Sequence, residues 1–291
     1  MSKEYVIMTD SSCDLPQKLA DQLGLEVLPL EVMADGKNYR NWLDGREIGF
    51  KEFYKLAREG KELKTSAVNT AAFEEKMRKI LDEGKDLLYI GFSTGLSTTY
   101  NSGESAAREL REKYPDRKIY TVDTLAASLG QGMITYYAAK KKEEGATIEE
   151  VRDFVENEKL HMCHWFTVDD LNYLKRGGRI SAATAAVGTM LSIKPVMHMD
   201  NEGHLVAVGK ARGRKASLKA LADSMEATML PGRNETIFIS HGDSLEDAEY
   251  LANLVRERTG VQDIVINYVG PVIGAHAGPG TIALFFWGSE R

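Results

Sequence analysis

A run of strand–loop–helix units between residues 86 and 145 constrains this chain more than any other feature. DLLYIGF (Asp86–Phe92) has the apolar content of a buried strand, Ser93–Ser97 is a hydroxyl-rich loop, and TTYNSGESAARELREKY has helical spacing. KIYTV (Lys118–Val122) repeats the strand, and the helix through MITYYAAKKKEE stops at Gly145. Units of this length imply parallel strands joined by right-handed crossovers. Ligands of such sheets sit beyond the carboxyl ends of the strands. The loops to watch are therefore Asp10–Asp14, Ser93–Ser97 and Asp123–Ser128.

The same texture begins earlier. YVIMT (Tyr5–Thr9) is strand-like, a short helix runs from Pro16 to Gly24, and LEVLPLEVM (Leu25–Met33) reads as one strand before an Asp-Gly turn. Helices are expected over FKEFYKLARE and from Ala71 to Glu83, the second capped by Asn69 or Thr70. Thr147-Ile-Glu-Glu150 is a capping box and starts a helix able to join two halves. Beyond it HWFTV and KPVMHM read as strands, and HLVAVGKA returns as a hairpin partner after the turn Asp200–Gly203. Helices at Lys215–Thr228 and Leu245–Thr259 then alternate with TIFIS, DIVINYV and TIALFFW. The expectation is α/β with two domains: residues 1–160 on a mostly parallel sheet with flanking helices, and residues 161–291 on a mixed sheet. A length of 291 residues fits two domains better than one.

Composition removes several functions. A hydrophobic fraction of 43% supports a packed chain rather than a disordered one. The net charge of −6 argues against general nucleic-acid binding, which needs a basic field. Cys13 and Cys163 lie far apart without a CxxC pair, so a disulfide scaffold and a thiolate zinc site are unsupported. No stretch approaches the about 18 apolar residues that a membrane span needs, and the N-terminus lacks a signal-peptide core. The expected location is the cytoplasm, with no cofactor and no metal.

Two loops carry more hydroxyls than turns require. Ser93-Thr-Gly-Leu-Ser97 precedes a helix start, where unpaired N–H groups and the helix dipole favour an anion. Simple capping by Ser97 explains that loop about as well. Lys64-Thr-Ser-Ala-Val-Asn69 reads as a second hydroxyl loop entering a helix, and two such loops can converge on one anion. Asp10-Ser-Ser-Cys-Asp14 is explained by turn chemistry. Gly278-Pro-Gly-Thr-Ile-Ala283 matches a dinucleotide fingerprint but leads into a strand, and Gly130-Gln-Gly132 lies inside a helix, so nucleotide binding is disfavoured. His161 and His164, three apart in a strand, point to opposite faces. His276 stands in a glycine-rich segment that permits close backbone approach. Two basic stretches, Lys175–Arg179 after a short helix at Asp169–Leu174 and Lys210–Lys215, read as a helix C-cap and a solvated face, or together as a docking patch for an acidic partner.

Taken in order, TDSSCDLP, KTS, STGLSTTYNS, VDTLAASLGQG, LNYLKRGGRIS, IKPV, KARGRK and GPVIGAHAGPG resemble the DegV family over essentially the whole chain. The resemblance implies two domains with a ligand tunnel between them. It also implies a long-chain fatty acid in that tunnel, whose carboxylate is presented to a partner fatty-acid kinase for ATP-dependent phosphorylation. On that reading Thr65 and Ser97 hydrogen-bond the carboxylate and His276 lies close by. Ser66 and Ser93 belong to the same two segments, and Arg179 lies near the tunnel mouth or partner surface. The chain itself would be a non-catalytic carrier. It departs from the family pattern at Ala67-Val68, where Gln-Pro is common, and at Thr94 and Thr98. Those changes bear on pocket shape more than on anion binding. The competing expectation is a hydrolase or phosphotransferase using Asp10, Ser97 and His276, which requires the three to lie within hydrogen-bond reach. A third is a binding module for another amphiphile.

Overall fold

The computed structural model describes residues 4–181 and 192–291. Elements are numbered over those residues. The first sheet has the order β2-β1-β6-β7 and is parallel throughout, formed by β1 (Tyr5–Asp10), β2 (Glu26–Leu28), β6 (Asp86–Gly91) and β7 (Ile119–Asp123). The mixed sheet has six strands in the order β10-β9-β8-β13-β11-β12. They are β8 (Met162–Thr167), β9 (Ile193–Met199), β10 (Leu205–Arg212), β11 (Thr236–His241), β12 (Asp263–Tyr268) and β13 (Ile282–Trp287). Parallel sheet in the N-terminal part and mixed sheet in the C-terminal part are as the sequence pattern predicts.

The helices are α1 (Gln17–Gln22), α2 (Phe50–Arg58), α3 (Thr70–Asp82), α4 (Thr99–Lys113), α5 (Leu129–Glu143) and α6 (Ile148–Glu158) in the first part. The second part has α7 (Asn172–Arg176), α8 (Arg214–Thr228), α9 (Leu245–Thr259) and α10 (Pro271–Ala277). Asn69 caps α3 through its side chain, and the capping box at Thr147 and Glu150 opens α6.

Alternation along the strands divides the core into layers. Leu87 and Tyr89 of β6 join a cluster with Phe73 and Met77 of α3 and Leu110 of α4, whereas Leu88 and Ile90 face α5 and α6. In the mixed sheet, Phe166, Phe238, Ala283 and Phe285 point to the α5 side, and Ile237, Ile239, Leu284 and Phe286 pack under α8 and α9. The order is thus helices, parallel sheet, α5 and α6, mixed sheet, helices. Helix α5 is shared by both sheets, and every residue from Leu129 to Thr135 is buried.

Three local expectations change. Leu25–Met33 is two strands, because Pro29 has no N–H for a ladder and separates β2 from β3 (Glu31–Ala34). Strand β3 leaves the parallel sheet and pairs antiparallel with β4 (Lys37–Arg40) across Asp35-Gly36, whose φ angles of 51° and 76° suit a two-residue hairpin. Lys64-Thr-Ser66 is not a loop of the parallel sheet. It lies in β5 (Leu63–Ser66), the other neighbour of β3, with Thr65 opposite Val32. The short helix expected at Asp169–Leu174 starts at Asn172, because the Asp170 side chain accepts the Asn172 N–H at 2.9 Å and holds the preceding residues in a turn.

One contact fastens the N-terminal loops to the mixed sheet. The β9–β10 turn rests on the Ser93–Ser97 loop, where Ser93 Oγ donates to the Gly203 carbonyl at 2.9 Å. A Cβ on Gly95 would stand 2.5 Å from the Gly203 oxygen, and one on Gly203, at φ 79°, would collide with Ser93 Oγ. Gly95→Ala is therefore expected to destabilise by about 1–3 kcal/mol through overpacking. Gly203→Ala should lose more, since it adds left-handed strain of about 1–2 kcal/mol. Gly84→Ala, at φ 78° with open space around it, carries the strain alone. Denaturant melts of the three variants check this, and a Gly203→Ala loss no larger than that of Gly84→Ala would remove the clasp from the account.

Candidate functional site

A cavity of about 500 Å³ lies between the two sheets, within the about 300–1,000 Å³ usual for small-molecule sites. Most of its wall is apolar, including Leu30, Phe92, Leu96, Phe166, Val272 and Phe285. Thr65, Ser66, Ser97, Arg179 and His276 also line it. These five come from four separate stretches of chain that only the tertiary fold brings together.

Each is fixed locally. Thr65 sits on β5, and its Oγ1 lies 2.7 Å from His276 Nε2. His276 occupies the last turn of α10, which begins with Pro271 at its first position. Ser97 precedes α4; its Oγ accepts the Thr99 N–H at 3.2 Å and lies 2.9 Å from Thr99 Oγ1. Thr98, not Ser97, is the N-cap of α4; Ser97 takes the first helical N–H from one residue earlier and also lines the cavity. Ser66 is exposed, at the rim.

Arg179 follows α7 through a Schellman turn. The Arg179 N–H bonds the Leu174 carbonyl, the Gly178 N–H bonds the Lys175 carbonyl, and Gly178 takes φ 71°. The turn directs the guanidinium back to the cavity, where Nε donates to the Leu96 carbonyl at 3.2 Å and Nη1 to the Gly177 carbonyl. Gly177 abuts His276 so closely that any Cβ there would overlap Nδ1. The KRGGR segment thereby sets both the cation and the imidazole. A guanidinium thus shares the cavity wall with the hydroxyls.

Electrostatics follow from burial. Loss of solvent, with Arg179 nearby, depresses the His276 pKa to about 4, so its ring is neutral at pH 7. Burial also lowers the Arg179 pKa. A neutral ring that donates from Nε2 to Thr65 Oγ1 frees the threonine proton to point at an anion. Hydroxyl donors and a half-buried guanidinium facing a mostly apolar cavity suit one carboxylate on a long apolar body.

Ser93 differs from the expectation. It is fully buried, donates to Gly203 and accepts from the Gly95 N–H at 3.1 Å, so its hydroxyl is engaged in fastening the loop. It does not line the cavity. The enzyme constellation is not assembled either. Asp10 accepts from Ser12, from Tyr89 Oη at 2.8 Å and from the Phe92 N–H at 3.2 Å, while Ser97 pairs with Thr99 and His276 with Thr65. Of the basic stretches, Arg214 is engaged with Asp247 at 2.8 Å, whereas Lys210, Arg212 and Lys215 are exposed.

The DegV family model, described as an uncharacterised protein family, matches residues 4–288. The chain belongs to the DegV family. A DegV domain-containing protein of Clostridium perfringens is 46% identical over 289 residues, covering 99% of both chains. One from Streptococcus pyogenes is 36% identical over 98% of this chain and 99% of its own. A Thermus thermophilus structure described as fatty-acid binding by a DegV family protein superposes with TM-score 0.86 at 34% identity, covering 98% and 99%. A Thermotoga maritima structure described as revealing a fatty-acid-binding function gives 0.85 at 29% identity, covering 98% and 99%.

Sequence reading gave no cavity role to several further polar residues of this DegV cavity, among them Ser128, His164 and Ser240. Their signal was present. HWFT alternates so that His164 shares a face with Phe166, and Ser240 shares one with Phe238. Ser128 Oγ donates at 2.6 Å to Asp14, a buried carboxyl whose pKa burial raises to about 8.

The pKa shifts give stability opposing pH slopes. His276 and His241, the latter also lowered to about 4 by burial, stay neutral in the fold where unfolded histidine protonates near 6.5. Between those values the unfolded chain binds more protons, so their contribution is lost as pH falls from about 7 to 4. Asp14 acts in the other sense: its contribution is full below the unfolded value of about 3.9 and lost as pH rises towards about 8. Arg179→Met should move the His276 titration upward in ring NMR spectra of the folded protein. An unshifted curve would show that the guanidinium does not act on the imidazole.

Proposed function

We propose that this DegV protein is a cytoplasmic carrier that holds one long-chain fatty acid and presents its carboxylate to a partner fatty-acid kinase. In this reading residues 1–160 and 161–291 are its two domains, and the chain performs no chemistry itself. The observation that carries the reading is one mostly apolar cavity whose wall also carries Thr65, Ser97, His276 and Arg179. The solved relatives described as fatty-acid-binding support it.

The physics suits a carrier. Each buried methylene contributes about 0.8 kcal/mol before ordering costs, so the acyl chain supplies much of the affinity. The carboxylate end needs only donors to avoid a desolvation loss. Thr65 and Ser97 provide two hydroxyls, and Arg179 offsets the buried charge from one side. The exposed Ser66 at the rim marks an anchor close to solvent, where a kinase can bring ATP to the carboxylate oxygen. In the partner's active site that oxygen attacks the terminal phosphorus of ATP, the bond to ADP breaks, and the fatty acid becomes an acyl phosphate.

Organic extracts of the purified protein should contain a fatty acid near one equivalent by mass spectrometry. Hydrogen bonds to a charged group are worth about 1.5–3 kcal/mol each. Thr65→Ala with Ser97→Ala should accordingly weaken fatty-acid binding at least about tenfold. Unaltered affinity in the double variant would remove these residues from the grip. Acyl phosphate made from ATP by this chain without a second protein would overturn the carrier reading.

A further inference from the structure

The cavity has a tail end as well as an anchor end. Thr281, Ala283 and Phe285 of β13 all face it. Thr281 marks the anchor end, because its Oγ1 donates at 3.0 Å to the carbonyl of Ala277, the neighbour of His276. Phe285 lies about 13 Å further along the strand at the usual rise per residue. His164 pairs with Phe285, and Phe166 pairs with Met197, which brings His164 and Met199 level two residues on. The next pair, Met162 and Trp287, does not line the cavity and belongs to the core, with Trp287 edge-on to Tyr137 and Phe154. Met199, His164 and Phe285 therefore form the last row of this wall.

Two of the three have rigid neighbours. His164 stands so close to α5 that a Cβ on Gly130 would overlap its ring, and it meets Phe285 edge-on at 5.2 Å. Met199 is different, because an unbranched thioether takes whatever shape its surroundings leave it. Its neighbour away from the cavity is the buried Arg291, whose Nη2 lies 3.5 Å from Met199 Sδ. The same Nη2 donates to the Leu125 carbonyl in the loop after β7. The Arg291 carbonyl lies 3.1 Å from His198 Nδ1, and the Glu290 carbonyl accepts from Cys163 Sγ at 2.8 Å. Residues 290 and 291 are thus strapped across β8 and β9. Nε and Nη1 of Arg291 are buried without partners, so as mere filling a hydrocarbon would cost less. What the guanidinium adds is an N–H aimed at the sulfur and a flat wall that keeps Met199 turned towards the cavity.

We propose that Met199, braced by Arg291, is the stop on which the acyl tail ends, and that this pair sets the longest fatty acid the protein accepts. Arg291 is a positioning residue, since it touches the methionine and not the cavity. The proposal rests on the fatty-acid reading above and adds a length limit to the same cavity.

The test titrates delipidated full-length protein with the saturated series from laurate to behenate. Affinity should rise with each added methylene up to a limit and fall beyond it. Met199→Ala should move that limit longer by about two carbons, the room its truncation leaves. Arg291→Ala should move it the same way by letting Met199 turn aside, and should add nothing in a Met199→Ala background, as expected of coupled neighbours. Met225→Ala, in the core on the other face of the mixed sheet, should lose stability without moving the limit. A wild-type series without a limit, a limit unmoved by Met199→Ala, or one moved as far by Met225→Ala would overturn the proposal. An Arg291→Ala shift that is absent, or equal in both backgrounds, removes the brace. Should Met199→Ala not fold, Met199→Leu nearly conserves volume and should still lengthen the limit by about one carbon; an unmoved limit there overturns the proposal equally. If no fatty acid of the series binds the wild-type chain, the fatty-acid reading itself fails.

Discussion

The packing of α5 between the two sheets is the constraint on which the rest of the molecule depends. Its first turn is Leu129-Gly-Gln-Gly132, an unfavourable start by propensity, since glycine inside a helix is disfavoured by about 0.5–1 kcal/mol relative to alanine. The tertiary contacts explain it. Gly130 meets His164 of the mixed sheet, and a Cβ on Gly132 would stand 2.5 Å from the Cys13 carbonyl on the other side. Between them Gln131 accepts from Ser12 Oγ at 2.8 Å and donates to Thr9 Oγ1 at 3.0 Å. Two glycines let the helix press on both layers, and the glutamine locks it to the end of β1.

The cavity lies beside that contact, with Ala127 and Ser128, just before α5, in its wall. The buried carboxyls of Asp10 and Asp14 then act as fasteners. Asp10 gathers Ser12, Tyr89 and the Phe92 N–H, which fixes where the Ser93–Ser97 loop begins. Asp14 accepts from Ser128 at the start of α5, and its own carbonyl accepts from Asn267 Nδ2 at 2.8 Å, which joins β12 to the same corner. The Asp-Ser-Ser-Cys-Asp segment looks like a nucleophile loop in sequence. Its carboxyls point inward to protein donors, and neither lines the main cavity.

What could be read from the sequence was local. The β–α periodicity, the Asp35-Gly36 turn, the Thr147–Glu150 capping box and the strand–turn–strand around Asp200–Gly203 all depend on neighbours within a few residues. What could not be read depends on partners far along the chain. Thr65 was expected in a loop, and only its pairing with Val32 makes it a strand residue. Ser93 and Ser97 look alike in sequence; Gly203, more than a hundred residues away, takes the hydroxyl of the first and leaves the second at the cavity. Gly130-Gln-Gly132 resembles an incomplete nucleotide motif in sequence, because no local rule says that a helix will be gripped from two sides. The convergence of Thr65, Ser97, His276 and Arg179 came from family likeness, since spacing alone does not bring four stretches together.

On the proposed carrier reading, one arrangement of the cavity wall can serve both a carrier and a phosphoryl acceptor. A carboxylate fixed by several cations holds its charge too tightly to attack phosphorus, while one buried with no cation resists ionising. The cavity lies between these limits. His276 is neutral at pH 7, and Thr65 and Ser97 offer dipoles rather than charge. Arg179 is the cation in the wall, and the Leu96 and Gly177 carbonyls already take part of its donor capacity. Its charge favours the ionised acid without committing a full bidentate fork to it. On that reading the carboxylate oxygen nearest solvent would be ionised and incompletely bonded, which is the state a phosphoryl acceptor needs.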